Sequence, residues 1–190
     1  MGHFNNDNEQ LSLLDLKIET ERLLIRPFEK RDIQASYEMN LDAEVSRYTG
    51  DGGVVSLEEI EKRIVENVFG NYNKYGFGRL AVEIKGENKF IGFTGLKYLP
   101  DMDEVDLGYR FMREYWGQGI ATESAVASIN FGFKTLELDR IIGLALPQNK
   151  PSVRILEKLF FRFEREIIED REKVSLYALQ NPKYENQKPT

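Results

Sequence analysis

The chain has 190 residues, of which 41% are hydrophobic and 12% aromatic, which is enough to bury the core of one domain. Its 26 Lys and Arg against 32 Asp and Glu give a net charge of −6, which disfavours non-specific binding to nucleic acid or an anionic membrane. There is no cysteine, and the one histidine, His3, lies in a polar N-terminal stretch. The sequence therefore excludes disulfides, thiolate zinc sites and an internal Ser-His-Asp triad, and it predicts no metal site.

The first half of the sequence predicts a strand, two helices and then three strands. A strand at 23–28 is followed by a helix over 31–42. A second helix begins with a capping box formed by Ser56 and Glu59, and its apolar residues have helical spacing. Alternation with a period of two then predicts strands over 80–84, 90–96 and 104–112.

The second half predicts a helix, a buried strand, another helix and a hairpin. The first helix begins near Gly119 and has a stripe of small residues, which lets a helix lie close to a sheet. The segment 140–146 is apolar throughout, as a strand covered on both faces would be. A helix over 151–160 precedes two strands joined by charged residues, at 163–168 and 174–179.

Strand runs mixed with helices predict one mixed α/β sheet rather than a regular doubly wound fold. We expect a single domain over residues 18–180, with a polar tail at 1–17 and a C-terminal tail at 181–190. No apolar run approaches the roughly 18 residues of a membrane span, and the N-terminus has no apolar signal region. The expectation is a soluble cytoplasmic protein.

One segment has the character of a binding site. Residues 115–123, YWGQGIATE, join the end of a predicted strand to the small-residue helix. The N–H groups of a glycine-containing turn at a helix N-terminus attract phosphate, and Gly117 and Gly119 permit close approach and positive φ. Taken alone, the pattern is equally typical of a plain turn. Thr122 stands where the dinucleotide fingerprint needs a third glycine, and no Walker Gly-Lys-Ser/Thr follows.

Four segments together resemble the GNAT superfamily of N-acetyltransferases, and within it the RimJ/RimL-like group that acetylates N-termini of ribosomal proteins. They are 20–26 (TERLLIR), 106–109 (DLGY), 114–123 (EYWGQGIATE) and 149–152 (NKPS) leading into 156–158 (LEK). The resemblance implies a single-domain fold with a central mixed, mostly antiparallel sheet that splays and is flanked by helices. It also implies acetyl-CoA as the donor, attacked directly by a primary amine in a ternary complex.

The resemblance also assigns contacts with acetyl-CoA. The turn at 116–122 matches one that holds the pyrophosphate through backbone amides, and the strand segment 110–112 matches one that runs beside the pantetheine. Asn149 matches a residue near the thiol end of the cofactor. The implied cofactor-binding residues are Phe111, Met112, Trp116, Gly117, Gln118, Gly119, Ile120, Ala121, Thr122 and Asn149.

The catalytic residues that the resemblance implies are Asp106 and Ser152. Asp106 matches a carboxylate, usually a glutamate, that is suggested as the base. Its alternative is a solvated or ion-paired strand residue, and Glu104 on the same strand face is a second candidate. Leu156 stands where many relatives have a tyrosine that protonates the leaving thiolate, so Ser152 is the candidate donor. Asn149 is equally suited to cap the helix, and Ser152 to be a plain first-turn residue.

Phe160 stands where relatives have a glycine at the end of this helix. A glycine there would take a left-handed conformation and close the helix. The bulky side chain of Phe160 predicts that the helix ends in a different way.

The chemistry bears on the acceptor, because an amine must lose a proton before it attacks a thioester. At pH 7 this costs roughly 4–5 kcal/mol for a lysine-like amine and about 1–1.5 kcal/mol for a peptide α-amine. A short Asp therefore suits a peptide N-terminus, and the acidic stretch 101–106 is expected to steer a basic peptide. The alternatives are a polyamine or aminoglycoside acceptor, and an acetyl-CoA-binding regulatory module without turnover. The sequence leaves the oligomeric state open.

Overall fold

The computed structural model describes residues 13–48, 55–169 and 171–185. His3 and most of the polar tail expected at 1–17 lie outside these residues, as does the end of the C-terminal tail, 186–190. Within the described ranges, no helix is long and apolar enough to cross a membrane.

One eight-stranded sheet forms the centre of the fold. Its strands are β1 (Ile18–Glu19), β2 (Leu23–Arg26), β3 (Arg79–Ile84), β4 (Phe90–Leu99), β5 (Glu104–Phe111), β6 (Arg140–Ala145), β7 (Arg162–Glu169) and β8 (Glu172–Gln180). They lie in the order β1-β2-β3-β4-β5-β6-β8-β7. β5 and β6 are parallel, and the other neighbouring pairs are antiparallel. The mixed, mostly antiparallel sheet is confirmed, while the short edge strand β1 was not predicted.

Helices cover both faces of the sheet. They are α1 (Asp32–Leu41), α2 (Ala43–Ser46), α3 (Leu57–Arg63), α4 (Gly70–Tyr75), α5 (Ile120–Lys134), α6 (Lys150–Lys158) and α7 (Pro182–Glu185). A π-helical segment, Ile64–Phe69, joins α3 to α4. α5 and α6 pack on one face, and α1 and α3 pack on the other. The predicted cap of α3 is confirmed, because Ser56 Oγ accepts the amide of Glu59 at 3.2 Å.

The stripe of small residues on α5 lets this helix lie directly on β4. Ala125 and Ser128 are buried, and Ser128 Oγ lies 3.1 Å from Thr94 Oγ1 of β4. A Cβ on Gly132 would come within 2.7 Å of the Leu96 side chain. Larger side chains would push the helix off the sheet, so this stripe sets where the N-terminus of α5 lies.

A buried ionic cluster joins β2, β3 and α1. Arg26 of β2 donates to both carboxylate oxygens of Asp32 in α1 at 2.8 Å, and it is ion-paired with Glu83 of β3. All three side chains are buried. Because each charge would be strongly destabilising without its partners, the cluster fixes α1 against the sheet.

The prediction that Phe160 makes α6 end in a different way is wrong. Phe160 has φ 65°, so it adopts the left-handed conformation itself. The amide of Phe160 donates to the carbonyl of Glu157, and the amide of Phe161 donates to the carbonyl of Leu156, both at 3.0 Å. This is the Schellman pattern that glycine usually supports. The buried ring of Phe161 packs in the same cluster as Leu156 and holds the chain in this path.

Asn181, where the C-terminal tail is expected to begin, contacts the rest of the domain. Asn181 is buried, and its side-chain amide donates to the carbonyl of Leu138 at 2.9 Å. Residues 182–185 then form the short helix α7. The side chain of Asn181 therefore ties the end of β8 to the segment before β6.

The left-handed residue at the end of α6 gives a stability prediction. We expect Phe160→Gly to be more stable than Phe160→Ala by about 0.5–1 kcal/mol, because glycine avoids a steric cost of about 1–2 kcal/mol for a Cβ at positive φ but loses more conformational entropy on folding. Phe160→Ala keeps that cost and removes a ring that is 80% exposed, so it should resemble the wild type. Urea unfolding measures the free energy of unfolding of all three proteins. Equal stability of the Gly and Ala variants would contradict a strained residue here.

Candidate active site

A cavity of about 1330 Å³ opens where β5 and β6 separate. The two strands pair at Asp106 opposite Ile142. Beyond this point β5 continues along β4, and β6 continues along β8. Residues 106–111 of β5, the turn before α5 and the first turns of α6 line the cavity. The predicted residues Asp106, Asn149 and Ser152 therefore come together with the glycine turn at one place.

The turn before α5 has the backbone that its glycines predict. Gly117 has φ 72° and Gly119 has φ 79°, both in the left-handed region. α5 begins at Ile120, so the N–H groups of Ile120, Ala121 and Thr122 have no intrahelical acceptor. All three residues line the cavity. A helix N-terminus with unused N–H groups is a favourable place for an anionic group.

Trp116 holds the turn against the end of β5. Its Nε1–H donates to the carbonyl of Phe111 at 2.8 Å, and the ring is 45% exposed. Two of the residues predicted to bind the cofactor direct their side chains to other contacts. Gln118 points its side-chain amide back to the carbonyl of Glu114 at 2.8 Å, and Met112 packs among the apolar residues on the α1 face. Neither residue is part of the cavity lining.

Glu123 of α5 joins the turn to residues 20–26, the first of the four segments that resemble the GNAT superfamily. Its carboxylate accepts the Thr20 hydroxyl at 2.5 Å, and the Arg22 amide and Nε–H at 3.0 and 2.7 Å. Arg22 also donates to the carbonyl of Gln118 at 2.9 Å. Burial opposes ionisation of Glu123, but the hydrogen bonds from Thr20 and Arg22 outweigh it and hold the pKa of the carboxyl below its usual range. The sequence contains both segments but gave no sign that they touch.

Asp106 is buried and ion-paired, so of the two alternatives to a catalytic role the structure shows the ion-paired residue and not the solvated one. Arg79 of β3 donates to its Oδ2 and, at 2.9 Å, to its backbone carbonyl. The guanidinium lies over Gly108, where any Cβ would clash with it. The second carboxylate oxygen accepts the amide of Leu144 in β6 at 3.3 Å. Burial raises the pKa of the Asp106 carboxyl, and Arg79 opposes that shift.

Glu104, the second candidate base, lies outside the cavity. Arg140 binds both of its carboxylate oxygens, at 3.1 and 3.0 Å, and also pairs with Glu164 of β7. The acidic stretch 101–106 does not form a rim of the cavity either. Within it, Asp103 accepts the hydroxyl of Tyr98 at 2.6 Å, and Asp106 alone lines the cavity.

Asn149 and Ser152 occupy the first turn of α6. Asn149 caps the helix, because its Oδ1 accepts the amide of Ser152 at 3.2 Å. Ser152 Oγ lies 3.1 Å from the hydroxyl of Tyr109, which comes from β5 on the face opposite Asp106. Burial raises the pKa of Tyr109 to about 12 although the hydrogen bond with Ser152 lowers it. Strand alternation puts Tyr109 on the opposite face from Asp106, and no pattern in the sequence indicates that Ser152 is its partner.

The cavity continues on the other face of β5, between α1 and the π-helical segment. Phe28, Met39 and Phe93 are apolar members of its lining, and Ser36 is a polar one. Ser36 Oγ is buried without a hydrogen-bond partner in the part of the chain that the structure describes. Two carboxylates of this region are ion-paired with arginines, as the pairs Glu44–Arg47 and Glu59–Arg63.

Comparison with known proteins agrees with this geometry. The family model described as "Acetyltransferase (GNAT) domain" matches residues 22–162. The uncharacterized N-acetyltransferase YnaD of Bacillus subtilis is 35% identical over 150 residues, which cover 78% of this chain and 84% of the relative.

Two solved structures share the fold at lower identity. The ribosomal-protein α-N-acetyltransferase RimL, in complex with coenzyme A, is 18% identical with a TM-score of 0.73, covering 87% of this chain and 98% of the other. The spermidine N-acetyltransferase of Vibrio cholerae, in complex with CoA and spermine, is 19% identical with a TM-score of 0.72, covering 87% and 99%.

Proposed function

The chain belongs to the GNAT family and is an N-acetyltransferase; from that premise we propose that it transfers the acetyl group of acetyl-CoA directly to a primary amine in a ternary complex. The observation that carries this proposal is the cavity at the separation of β5 and β6. It joins a phosphate-binding type of turn to a buried carboxylate and to a hydroxyl at a helix N-terminus.

Acetyl-CoA would lie in the part of the cavity between the turn before α5 and the first turn of α6, which we call the cofactor side. The pyrophosphate would accept the N–H groups of Ile120, Ala121 and Thr122, which the helix itself does not use. The pantetheine amides would pair with the edge of β5 beyond Asp106, where β6 no longer runs beside it. The RimL and spermidine acetyltransferase structures contain coenzyme A, which supports acetyl-CoA as the ligand of this chain. Asn149 and Ser152 would then lie near the thioester.

An acceptor that binds as an ammonium ion loses two protons, one before attack and one as the amide forms, and sulfur gains one. The amine nitrogen attacks the thioester carbonyl carbon, the C–S bond breaks, and the electron pair stays on sulfur. Asp106 would accept the amine proton through a water, and its raised pKa favours that role. The N-terminus of α6, with Ser152 in its first turn, would stabilise the thiolate.

The binding of acetyl-CoA is tested at Gly119. We expect Gly119→Val to abolish the rise in Tm that acetyl-CoA causes, because a β-branched residue at φ 79° displaces the N–H groups of the turn. In the wild type, ligand at a hundred times its Kd adds about 2.7 kcal/mol of stability. The matched control is Gly86→Val, with φ 81° in the β3–β4 turn and open space around it. It carries the same backbone strain and should keep the shift. Retention of the shift in Gly119→Val would refute this placement of the cofactor.

The role of Asp106 predicts a characteristic pH dependence. We expect Asp106→Asn to lower kcat/KM for the acceptor about 10²–10⁴-fold near pH 7. The loss should shrink as the pH rises, because the amine then loses its proton to solvent. Glu104→Gln, outside the cavity, should keep the wild-type profile. Initial rates of thiol release between pH 6.5 and 9.5 measure both variants. An unchanged profile in Asp106→Asn and a depressed one in Glu104→Gln would reverse the assignment.

For the acceptor we propose the N-terminal α-amine of a peptide. Support comes from the apolar residues on the α1 side of the cavity and from arginines that are ion-paired with three of the four carboxylates in its lining, Glu44, Glu59 and Asp106. Glu66 is the fourth and has no ion pair among the described residues. A polyamine carries several positive charges and would need more unpaired carboxylates than this one. The spermidine acetyltransferase with the same fold makes a polyamine the second candidate.

The acceptor is identified by mass spectrometry of the products. Reactions contain acetyl-CoA with peptides that have free or blocked N-termini, with spermidine, or with an aminoglycoside. We expect acetylation of peptides with a free N-terminus alone, because the cavity suits an amine attached to a neutral chain. Acetylation of spermidine with no modified peptide would contradict the peptide assignment and would still support acetyltransferase activity. If acetyl-CoA binds but no thiol is released with any of these amines, the result would favour the regulatory module.

A further inference from the structure

The proposed reaction leaves a proton unaccounted for on the cofactor side of β5. Sulfur must gain a proton when the C–S bond breaks, and the side chain at the first turn of α6 is a serine. A serine hydroxyl is a much weaker acid than a thiol. It can therefore pass its proton to sulfur only if it regains one from a neighbour at the same time.

We propose that Tyr109 positions the Ser152 hydroxyl towards the thioester sulfur and resupplies the proton that Ser152 gives up. This inference rests on the proposed acetyl transfer and assigns a residue to it. In a single step the serine proton moves to sulfur and the phenol proton moves to Ser152 Oγ. The acceptor nitrogen loses two protons, one before it attacks and one as the amide forms; through Asp106 and solvent, one of them restores the phenol of Tyr109 and the other is released to solvent. Protons and charges balance over one turnover, and no further reactant is needed.

The geometry of the pair suits this transfer. Tyr109 Oη lies 3.1 Å from Ser152 Oγ and 3.4 Å from the Ser152 carbonyl oxygen, and both residues line the cavity. The phenol has one hydrogen and two acceptors in range, of which Oγ is the nearer; when it donates to Oγ, the hydrogen of Ser152 is directed away from Tyr109. Ser152 is itself held by the cap, because its amide donates to Asn149.

The position of Tyr109 is fixed independently of Ser152. Its half-buried ring packs against the cluster around Leu96 and Leu107, and against the cluster around Ile91 and Phe111. The ring therefore reaches from β5 to α6 across the point where the sheet opens. A residue that touches both halves of the splayed sheet keeps its hydroxyl at a constant distance from the first turn of α6.

The acidity of a phenol suits the task better than that of serine. An ordinary tyrosine has a pKa near 10, close to the roughly 8.5 of a thiol. Burial raises the pKa of Tyr109 to about 12, which makes the phenol a weaker acid than a free tyrosine, so its proton moves only in the same step in which negative charge develops on sulfur. The nearby charge of Asp106 acts in the same direction.

The experiment compares Tyr109→Phe, Ser152→Ala and the double variant with the wild type. The acceptor is the peptide, or spermidine if the wild type acetylates that instead, and thiol release gives kcat. We expect Tyr109→Phe to lower kcat at pH 7 at least tenfold with the KM for acetyl-CoA unchanged. The loss should decrease above pH 9, because the thiolate then leaves without needing a proton. The double variant should be no slower than the slower single variant, because the two groups act as one unit.

The matched control is Tyr98→Phe. Tyr98 also donates its hydroxyl to a neighbour, Asp103, but it lies outside the cavity, so this variant should keep the wild-type rate. A wild-type kcat and pH profile in Tyr109→Phe would overturn the inference while the acetyltransferase stands. Losses that multiply in the double variant and do not change with pH would assign Tyr109 a purely structural role and also overturn it. A wild type that acetylates no amine would overturn the proposed function and this inference together.

Discussion

The cavity depends on the place where β5 and β6 stop pairing. At Asp106 opposite Ile142 the two strands run side by side, and beyond it each follows a different neighbour. The Asp106 side chain, not a backbone carbonyl, accepts the next available amide of β6, at Leu144. Arg79 neutralises this buried carboxylate from the far side of β4. A carboxylate at the fork therefore satisfies an amide that the separation of the strands would otherwise leave without a partner.

The gap between β5 and β6 can form a binding site only if the turn before α5 is held beside it. Three independent contacts hold the turn before α5: the small-residue stripe against β4, the hydrogen bond from Trp116 to the end of β5, and the bonds of Glu123 to Thr20 and Arg22. Each comes from a different part of the chain. The N–H groups at the start of α5 are therefore held at a fixed distance from the edge of β5, which a ligand spanning both requires.

Local patterns in the sequence predicted much of this fold, because caps, turns and strand alternation depend on neighbouring residues. The left-handed Gly117 and Gly119 and the cap of α3 are examples. Partners distant in sequence were not predictable in the same way. Alternation gives the face on which Asp106 or Tyr109 lies, but not that Arg79 or Ser152 will meet it. One signal was available, since glycines inside strands mark close approach, and Gly108 provides the space in which Arg79 crosses β5.

The helix end at Phe160 shows the opposite error, where a local rule was applied too strictly. Glycine is favoured at a left-handed position because it has no Cβ, but the cost for another residue is about 1–2 kcal/mol. Burying Phe161 in the main core contributes energy of the same order, so the chain keeps the Schellman path with Phe160 exposed. The sequence rule predicted the preferred residue correctly. The rule does not include the burial of the next residue, Phe161, in the core.

Strand alternation in β5 also explains how a single strand can serve both substrates. Asp106 and Tyr109 are three residues apart, so their side chains leave the strand on opposite faces. Asp106 lies on the face of α1 and the apolar part of the cavity, whereas Tyr109 lies on the face of α5 and α6. An amine approaching from the first face would lose its proton there, and the thiolate would gain one on the second. The proposed base and the proposed proton supply are thereby kept apart on opposite faces of one strand.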